Sequence, residues 1–489
     1  MTSCLPDRAS GVLLHVTSLP GPLGIGELGQ AAHDFVHWLQ QSGQRYWQVL
    51  PLGPTGYGES PYQLLSAYAG NPLLISLESL GYASPQSAVD PSRVDFESVT
   101  TGKNRALAHA GAEFLASSNG ADRERVERFI QETPWLADYA LFATLKKRFD
   151  LLPWHLWPRE YADRDPAALH AASREHATEL FQCKLEQFWF HEQWAALRRA
   201  AQEADIRIIG DIPIYVAHDS CEVWCARELF DLTPDGLPHT IAGVPPDYFS
   251  ATGQRWGNPL YRWERHAEDG FVWWCSRLAH AASMFDLIRL DHFRGFDSYW
   301  AIPSSCETAV DGIWLAGPGL SFFNAIRAAL GDLPLIAEDL GQLTGSVHAL
   351  RATLGLPGMR VLQFGFDGEP TNPHAPHNIE MNVVCYTGTH DNDTTRGWYD
   401  GLDDLVRERV GSRDGAAGAA DVLIDVALRS PAQLVIIPMQ DILGLDSRAR
   451  FNTPGVIGGN WLWRVTASEL TAERAAKLAR KTGIFQRNH

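Results

Sequence analysis

The sequence predicts an α/β fold, a (β/α)8 TIM barrel, from two features that recur along the chain. Short apolar segments end in glycine or polar residues, and each is followed, directly or after an insertion, by a helix-like stretch. Eight strands that alternate with helices are typical of a parallel barrel, and a doubly wound open sheet is the structural alternative. The candidate strands are residues 11–20, 45–54, 206–216, 286–293, 333–341, 358–366, 382–393 and 433–444.

The spacing of the candidate strands predicts two large insertions in the barrel. Residues 85–205, between strands two and three, are rich in Ala, Glu, Arg, Leu and Trp at helical spacing, which predicts a mainly helical insertion. Residues 217–285, between strands three and four, contain a Pro-, Gly-, Trp- and Tyr-rich stretch (217–270) that predicts loop-rich structure over one barrel end. The chain after strand eight is too short for a C-terminal β-domain, so we expect residues 1–489 to form a single barrel domain.

The composition argues against several classes of function. The formal charge is −17, from 41 basic and 58 acidic residues, and no basic run occurs, so nucleic acid and anionic membranes are poor candidates as partners. We see no signal peptide and no run of about 18 apolar residues that could span a bilayer. The seven cysteines include no Cys-x-x-Cys pair, which favours reduced thiols. We therefore expect a cytoplasmic protein, either a monomer or a weak homo-oligomer.

The fourth candidate strand, DLIRLDHF, carries two charged residues where an apolar run ends. Buried charges are expensive unless they are paired or used. Because side chains alternate along a strand, Arg289 and Asp291 share one face with Leu287. We expect this face to point into the barrel mouth, where barrels of this class place their chemistry.

Three other strand ends carry acidic side chains. The same alternation puts Glu338 of strand five on the inner face and Asp339 on the opposite face. Strand seven ends in Thr389-His390-Asp391, and strand three carries Asp211. A single Arg-x-Asp or Glu-Asp is more often a structural ion pair, but several such groups at the ends of barrel strands favour a functional site.

These acids suit the hydrolysis or transfer of a glycosidic bond. That reaction needs a proton donor for the leaving oxygen and a nucleophile or base for the anomeric carbon. Arg289 would keep Asp291 ionised, as a nucleophile requires, and burial near other carboxylates would raise the pKa of Glu338, as a general acid requires. The third acid would stabilise positive charge in the transition state, and the aromatic residues of 217–270 would stack on sugar rings.

Two other readings of the motifs are weaker. Acids with a histidine can bind divalent ions, but an arginine inside the cluster argues against a cation, so we expect no metal. The motif Gly24–Gly29 fits G-x-G-x-x-G, but the acid expected about 20 residues later is absent, so we expect no dinucleotide or other cofactor.

Eight motifs between about residue 10 and about residue 464 resemble those of a known family: SLPGPLGIGELG, LPLGPTGYGESPYQ, GDIPIYV, GVPPDYFSATGQRWGNPLY, IRLDHFRGF, IAEDLG, YTGTHDNDTTRGWY and GNWLWR. The family is that of the 4-α-glucanotransferases, also called amylomaltases or disproportionating enzymes, which form glycoside hydrolase family 77 in the α-amylase clan. It implies a (β/α)8 barrel with subdomains inserted among its loops and no C-terminal β-domain.

The resemblance implies a role for each matching residue. Asp291 in IRLDHF would be the nucleophile, Glu338 in IAEDLG the general acid/base, and Asp391 in GTHDND the transition-state stabiliser. No departure from the family pattern is visible at these three acids. The residues expected to bind the sugar are Tyr57, Ser60, Asp211, Trp256, Arg289, His292, His390 and Asn460.

The implied reaction moves an α-1,4-glucan segment from a donor maltooligosaccharide, starch or glycogen-type glucan to the 4-hydroxyl of glucose or another glucan. It proceeds by retaining double displacement through a covalent glucosyl-aspartate, which predicts carboxyl groups about 5–5.5 Å apart. We further expect the loop near 243–261 to bind the acceptor and exclude water. The alternatives are a hydrolase of the same clan and a non-catalytic glucan-binding barrel, which would lack one of the acids.

Overall fold

The strands and helices follow the order that the sequence predicts. A computed structural model of the protein describes residues 4–5, 8–82, 90–246, 250–341 and 343–488, and the side chain of Tyr57 lies outside this description. The strands of the described residues are β1 (Ala9–Leu13), β2 (Tyr46–Gln48), β3 (Arg207–Ile212), β4 (Thr240–Val244), β5 (Gln254–Pro259), β6 (Leu287–Leu290), β7 (Ser298–Pro303), β8 (Ile313–Ala316), β9 (Leu335–Ala337), β10 (Gly358–Val361), β11 (Val383–Tyr386) and β12 (Leu434–Pro438).

Helices surround these strands and fill the intervals between them. The helices of the described residues are α1 (Gln30–Gln41), α2 (Phe96–Ser117), α3 (Gly120–Glu132), α4 (Leu136–Arg148), α5 (Arg159–Ala162), α6 (Pro166–Glu175), α7 (Ala177–Glu203), α8 (Cys221–Cys225), α9 (Trp263–Glu268), α10 (Val272–Met284), α11 (Gly319–Leu330), α12 (Gly345–Leu354), α13 (Thr395–Asp400), α14 (Asp404–Val410), α15 (Ala416–Arg429), α16 (Met439–Leu443) and α17 (Ala472–Ile484). None of them is both long and apolar enough to cross a membrane.

Eight parallel strands form a nearly closed barrel. Their order is β10-β11-β12-β1-β2-β3-β6-β9. Seven of the predicted strand segments contain one of them, and the segment 11–20 overlaps β1 in part. The first and last strands of this order, β10 and β9, meet where the Ala337 N–H of β9 donates a hydrogen bond of 2.9 Å to the carbonyl of Pro357, just before β10. The predicted (β/α)8 barrel is therefore confirmed, and the doubly wound open sheet is wrong.

The barrel strands are buried on both faces, as parallel strands covered by helices require. All residues of β1, β11 and β12 are buried, and their sequences are mostly β-branched or apolar. Gly11 allows β1 to pack close to β2, since an added Cβ would lie 2.4 Å from the Tyr46 carbonyl oxygen. Inside the barrel, the Tyr386 hydroxyl donates a hydrogen bond of 2.9 Å to Gln48 Oε1, so interior polar groups are paired.

Helices and a small sheet fill the two long intervals between barrel strands. Helices α2 to α7 lie between β2 and β3, and the 27-residue α7 is the longest of the described helices. Between β3 and β6 the chain forms α8, β4, β5, α9 and α10. We expected residues 217–270 to be irregular, but β4 and β5 join β7 and β8 in an antiparallel sheet of order β5-β4-β7-β8. The sequence hides these short strands because β4 pairs with β7, which lies distant in the chain.

Candidate active site

A buried ion-pair triad lies at the ends of β3 and β6. Asp211 and Arg289 are register partners in these adjacent strands. Arg289 Nη1 lies 2.6 Å from Asp211 Oδ2 and 2.9 Å from Asp291 Oδ1, so one guanidinium serves two carboxylates. The side chain of Asp291 is 28% exposed, whereas those of its two neighbours are buried. Strand alternation predicts this arrangement, with Arg289 and Asp291 on one face.

Asp211 is the buried member of the triad. Burial raises the pKa of Asp211 to about 6, although the positive charge of Arg289 acts in the opposite direction. Its Oδ1 atom has no hydrogen-bond partner among the described residues. The Oδ1 atom of Asp211 is therefore free to accept a hydrogen bond from a ligand hydroxyl.

Tyr62 connects the triad to His390. Its hydroxyl donates a hydrogen bond of 2.9 Å to Asp211 Oδ2, and its ring stacks on the His390 ring with centroids 5.1 Å apart. Ser60 supports this placement, because its Oγ accepts a hydrogen bond of 3.2 Å from the Tyr62 N–H. Tyr62 lies in the same GESPYQ motif as Ser60, but the sequence resemblance assigns sugar binding to Tyr57 and Ser60 and not to Tyr62. The side chain of Tyr57 lies outside the described part of the structure.

Glu338 follows β9 and lies against the backbone next to Asp291. The N–H of His292 donates a 2.7 Å hydrogen bond to Glu338 Oε2, and the N–H of Leu340 donates a 2.8 Å bond to Oε1. Burial raises the pKa of Glu338 to about 7, where Arg289 opposes the increase and Asp291 adds to it. This carboxyl group can hold or release a proton near neutral pH, which suits a general acid/base.

The backbone of His292 is strained where it meets this carboxyl group. His292 has a φ of 50° in the left-handed region, which is uncommon for a residue other than glycine. The strain accompanies the turn that points its N–H at Glu338 directly after Asp291. Such local strain is found preferentially at functional sites, because the surrounding structure has to compensate its cost.

Asp391 lies in the loop after β11 with a donor at each carboxylate oxygen. His390 Nε2 is 3.4 Å from Oδ2, and Asn452 Nδ2 donates a 2.6 Å hydrogen bond to Oδ1. Burial alone would raise the pKa of Asp391, but the adjacent His390 and the Asn452 amide hold it well below its usual range. Although burial opposes it, Asp391 in turn raises the pKa of His390. Asn452 was missed from the sequence, because it is 61 residues away in the chain.

A buried carboxylate after β12 holds both ends of the Asp391 loop. Asp441 Oδ2 accepts hydrogen bonds from the hydroxyls of Thr387, at 2.5 Å, and Thr395, at 2.7 Å. Its Oδ1 accepts a 2.7 Å bond from the Thr395 N–H. The loop that carries His390 and Asp391 is therefore fixed to the neighbouring strand end, which restricts the positions of both side chains.

Of two further predicted binding residues, Trp256 lies beside the acids and Asn460 forms hydrogen bonds within its own loop. The Trp256 ring, on β5, meets the His292 ring edge-on with centroids 4.8 Å apart, so it lies beside the acids. Burial lowers the pKa of His292 to about 4, and its Nε2 has no partner among the described residues. The Asn460 side chain instead bonds to the backbone of its own loop, to Thr453 N at 3.0 Å and Val456 O at 2.8 Å. The structure therefore brings Trp256 into the site and keeps the Asn460 amide in its loop.

The four strand ends thus bring four carboxylates, an arginine and two histidines to one end of the barrel. Within the described ranges, no group of three or more His, Cys, Asp or Glu side chains is placed to hold a metal ion. The arrangement offers a carboxylate paired with a cation, a carboxyl group that titrates near neutrality, and a third carboxylate that stays ionised. These are the groups that chemistry at a glycosidic bond requires.

Comparison with known families agrees with this chemistry. The family model described as 4-alpha-glucanotransferase matches residues 14–470. The chain belongs to this family. A curated 4-alpha-glucanotransferase from Thermus thermophilus is 48% identical over 495 residues, spanning 96% of this chain and 97% of the relative. A chloroplastic/amyloplastic 4-alpha-glucanotransferase from Solanum tuberosum is 42% identical, spanning 94% of this chain and 83% of the relative.

A solved structure of the family has the same fold. Amylomaltase from Streptococcus agalactiae, solved in complex with acarbose, matches with a TM-score of 0.93 and 38% sequence identity. The match covers 98% of this chain and 99% of that chain. The family prediction from the sequence motifs is confirmed, and the protein is an enzyme of this transferase family.

Proposed function

We propose that this enzyme transfers α-1,4-glucan segments from a donor maltooligosaccharide, or a starch- or glycogen-type glucan, to the 4-hydroxyl of glucose or another glucan. The observation that carries the proposal is the position of Glu338. The pKa of its carboxyl group is raised to about 7, and this group accepts a hydrogen bond from the N–H of His292, the residue after Asp291. Asp291 itself forms an ion pair with Arg289 at 2.9 Å. Membership of the 4-alpha-glucanotransferase family over residues 14–470 supports the same reaction.

In the first step, protonated Glu338 gives its proton to the departing glycosidic oxygen while Asp291 attacks the anomeric carbon. A covalent glucosyl ester of Asp291 forms, and the shortened donor leaves with the proton. Arg289 keeps the Asp291 carboxylate in place and supplies a positive charge next to it. In this proposal the Asp291 and Glu338 carboxyl groups are about 5–5.5 Å apart, as a retaining mechanism requires.

In the second step, ionised Glu338 removes the proton from the 4-hydroxyl of an acceptor glucan, and that oxygen displaces Asp291. The new bond is again α-1,4, because the configuration inverts twice. Asp391, held ionised by His390, faces the positive charge that develops on the sugar in both steps. A pKa of about 7 suits Glu338 to both roles, since it must give a proton and then take one.

The remaining candidate residues are proposed to bind the sugar rings. Asp211 has a free carboxylate oxygen, and His292 has a buried ring nitrogen without a partner among the described residues. These groups can bond to sugar hydroxyls, and aromatic rings such as Trp256 can stack on sugar faces. The proposed binding residues are Tyr57, Ser60, Asp211, Trp256, Arg289, His292, His390 and Asn460, together with Tyr62. Asn460 would bind through the amide hydrogen and the oxygen lone pair that its two loop bonds leave over.

Transfer must compete with attack by water on the glucosyl ester. We propose that the segment 243–261, of which residues 247–249 lie outside the described residues, binds the acceptor and keeps water away. Trp256 in this segment packs edge-on against His292, which places an apolar surface beside the acids. The cytoplasmic location stays a prediction, because three relatives are named as chloroplastic/amyloplastic. The monomeric or weakly oligomeric state also stays a prediction.

Incubation with maltotriose alone tests the proposed function. A transferase should produce glucose and glucans longer than maltotriose while the number of reducing ends stays constant, because each broken bond is replaced by a new one. A hydrolase should produce only shorter sugars and a rising number of reducing ends. A non-catalytic glucan-binding barrel should leave maltotriose unchanged. Either of the last two outcomes would contradict the proposal.

A further inference from the structure

Asn452 lies in the segment after α16, and its side chain reaches the carboxylate of Asp391. Its Nδ2 donates a hydrogen bond of 2.6 Å to Asp391 Oδ1, while Oδ2 lies 3.4 Å from Nε2 of His390. The two oxygens of Asp391 are therefore held by side chains from different loops, one after β11 and one after β12. Neither the motifs of the sequence nor the proposed mechanism assigns a role to Asn452.

The backbone is anchored on both sides of Asn452. Phe451 is buried, and its carbonyl accepts a hydrogen bond of 2.6 Å from the Trp461 N–H. On the other side, the Thr453 N–H donates a 3.0 Å bond to Asn460 Oδ1. The amide of Asn452 is thus presented from a fixed backbone, so less conformational entropy is lost when it binds its partner.

Arg450 joins the two loops through their main chains. Its Nε donates a 2.6 Å bond to the Asn452 carbonyl, and its Nη2 donates a 2.7 Å bond to the Asp391 carbonyl. The guanidinium sets the spacing of the two backbones, and the Asn452 amide makes the contact with the carboxylate. That contact matters because the Asp391 side chain is 48% exposed, so packing alone does not fix its rotamer.

We propose that Asn452 is a positioning residue for glucan transfer, which acts by orienting the Asp391 carboxylate toward the positive charge of the transition state. The inference rests on the proposed function, in which Asp391 stabilises an oxocarbenium-like sugar. A stabilising charge is most effective when its orientation is set before the reaction, because no reorganisation is then needed. Asn452 supplies this orientation without a charge of its own, so it does not neutralise the carboxylate.

The charged groups around Asp391 keep it ionised without Asn452, so the effect of Asn452 on its orientation can be tested separately. The charged and titratable groups that face it are His390, Arg289, Tyr62 and Arg450. The surrounding protein partly desolvates this half-exposed carboxylate, which raises its pKa, but His390, the Asn452 hydrogen bond and the more distant Arg289 together hold this pKa well below its usual range. Loss of the Asn452 amide alone should therefore leave Asp391 ionised at neutral pH, and the loss of rate should reflect its orientation.

The test compares Asn452→Ala with the isosteric Asn452→Asp in the disproportionation of maltotriose. Asn452→Ala removes the donor and should lower kcat about 10- to 100-fold with little change in KM, since the interaction acts mainly in the transition state. Asn452→Asp keeps the shape but places a second carboxylate against Asp391 Oδ1, so the pair should share a proton. His390 holds Asp391 ionised, so the shared proton should lie on the introduced carboxyl group, which then donates as the amide does. Loss of this proton should make kcat fall as the pH rises, from a lower pH than in the wild type, between about pH 5 and 8.

Arg448→Ala is the matched control, because Arg448 lies in the same segment and pairs at 2.8 Å with Asp446 at the surface. This variant should keep the kcat and the pH profile of the wild type. A merely structural role of Asn452 predicts a lower Tm in both variants and no earlier fall of kcat with rising pH in Asn452→Asp.

Two results would overturn the inference while leaving the proposed function intact. One is an Asn452→Ala kcat within about twofold of wild type, far below the effect of a lost charged hydrogen bond. The other is a folded Asn452→Asp enzyme whose kcat falls with rising pH no earlier than that of the wild type. A wild type that makes no longer glucans would instead refute the proposed function, and the inference with it.

Discussion

Glu338 and Asp339 are neighbours in the chain, but their carboxylates lie in two clusters of charge with different surroundings. The carboxylate of Glu338 points into the barrel mouth, where it accepts hydrogen bonds from the backbone of His292 and Leu340. Around it, one guanidinium is shared by two aspartates. We call this set the inner cluster, which consists of Asp211, Arg289, Asp291 and Glu338.

The carboxylate of Asp339 points the other way, between β10 and α12. It accepts a 2.6 Å hydrogen bond from the Met359 N–H and lies 3.2 Å from Arg351 Nε and 3.4 Å from Arg360 Nη1. Both guanidiniums also pair with Glu380 at the surface. We call this set the outer cluster, which consists of Asp339, Arg351, Arg360 and Glu380.

The two clusters differ in whether their carboxylate oxygens are left free to contact a ligand. In the outer cluster both oxygens of Asp339 have partners, and its side chain is fully buried. In the inner cluster, Asp211 Oδ1 has no partner among the described residues and Asp291 is 28% exposed. Burial raises the pKa of both Glu338 and Asp339, but two adjacent guanidiniums counteract this for Asp339. A charge cluster with fully paired carboxylates stabilises the fold, whereas one with unpaired or exposed oxygens can act on a ligand.

Glu338→Gln should have the largest effect on turnover. The substitution removes the proton that the leaving oxygen needs, so the rate of maltotriose disproportionation should fall about 10²- to 10⁴-fold. Binding of maltooligosaccharide, measured by calorimetry, should persist because the shape of the site is kept. A variant that turns over at near-normal rate would remove Glu338 from the chemistry and make the inner cluster structural like the outer one.

Arg289→Leu should follow, with a loss on the order of 10²-fold in kcat. The substitution leaves Asp211 and Asp291 without their shared cation, so the nucleophile loses both its counter-charge and its position. Because an unpaired buried charge is expensive, thermal unfolding should also occur at lower temperature. Near-normal turnover in this variant would mean that the Arg289 pair serves only the fold.

The pH profile of kcat/KM should show a basic limb that arises from the titration of Glu338 in the inner cluster. Glu338 must be protonated to start the reaction, and its pKa is raised to about 7, so kcat/KM should fall as the pH rises through about 7. Above that value the decrease should approach about tenfold per pH unit. A profile that stays flat to about pH 9 would contradict the role of Glu338 as the acid.

Strand alternation predicts much of this site. Once the barrel is inferred, a period of two residues places Arg289 with Asp291, and it separates Glu338 from Asp339. The ends of barrel strands then identify Asp211 and Asp391 as neighbours of the same cavity. These predictions depend on local periodicity and on a regular fold, both of which can be read from the chain.

Other parts of the site depend on contacts that no local pattern encodes. Asn452 meets Asp391 across 61 residues of chain, and its position depends on how one loop is anchored. Strand β4 pairs with β7, so its short sequence shows no alternation that identifies it. The amide of Asn460, expected to bind sugar, bonds to its own loop because the turn through Val456 brings those backbone groups within reach.

Trp256→Ala should change the fate of the intermediate more than the rate at which it forms. The Trp256 ring packs edge-on against His292. In the proposed mechanism this ring keeps water from the inner cluster, so its loss should admit water. The ratio of transfer to hydrolysis, measured as longer glucans against new reducing ends, should fall a few-fold. Trp256→Phe keeps an aromatic ring and serves as the control. An unchanged ratio in the alanine variant would refute the role of this segment in excluding water.

Asp339→Asn should have the smallest effect on turnover, although it lies next to Glu338. It removes the negative charge between Arg351 and Arg360, so the exposed Glu380 alone is left to pair with the buried Arg360 and the partly buried Arg351. The free energy of unfolding should therefore fall by about 3–5 kcal/mol, measured by denaturant titration. The kcat and the basic limb near pH 7 should stay close to those of the wild type, because Asp339 contacts neither Asp291 nor the Glu338 side chain through any described hydrogen bond or ion pair. A large loss of kcat without a loss of stability would show that the two clusters are coupled through the end of β9, and the division between them would then be wrong.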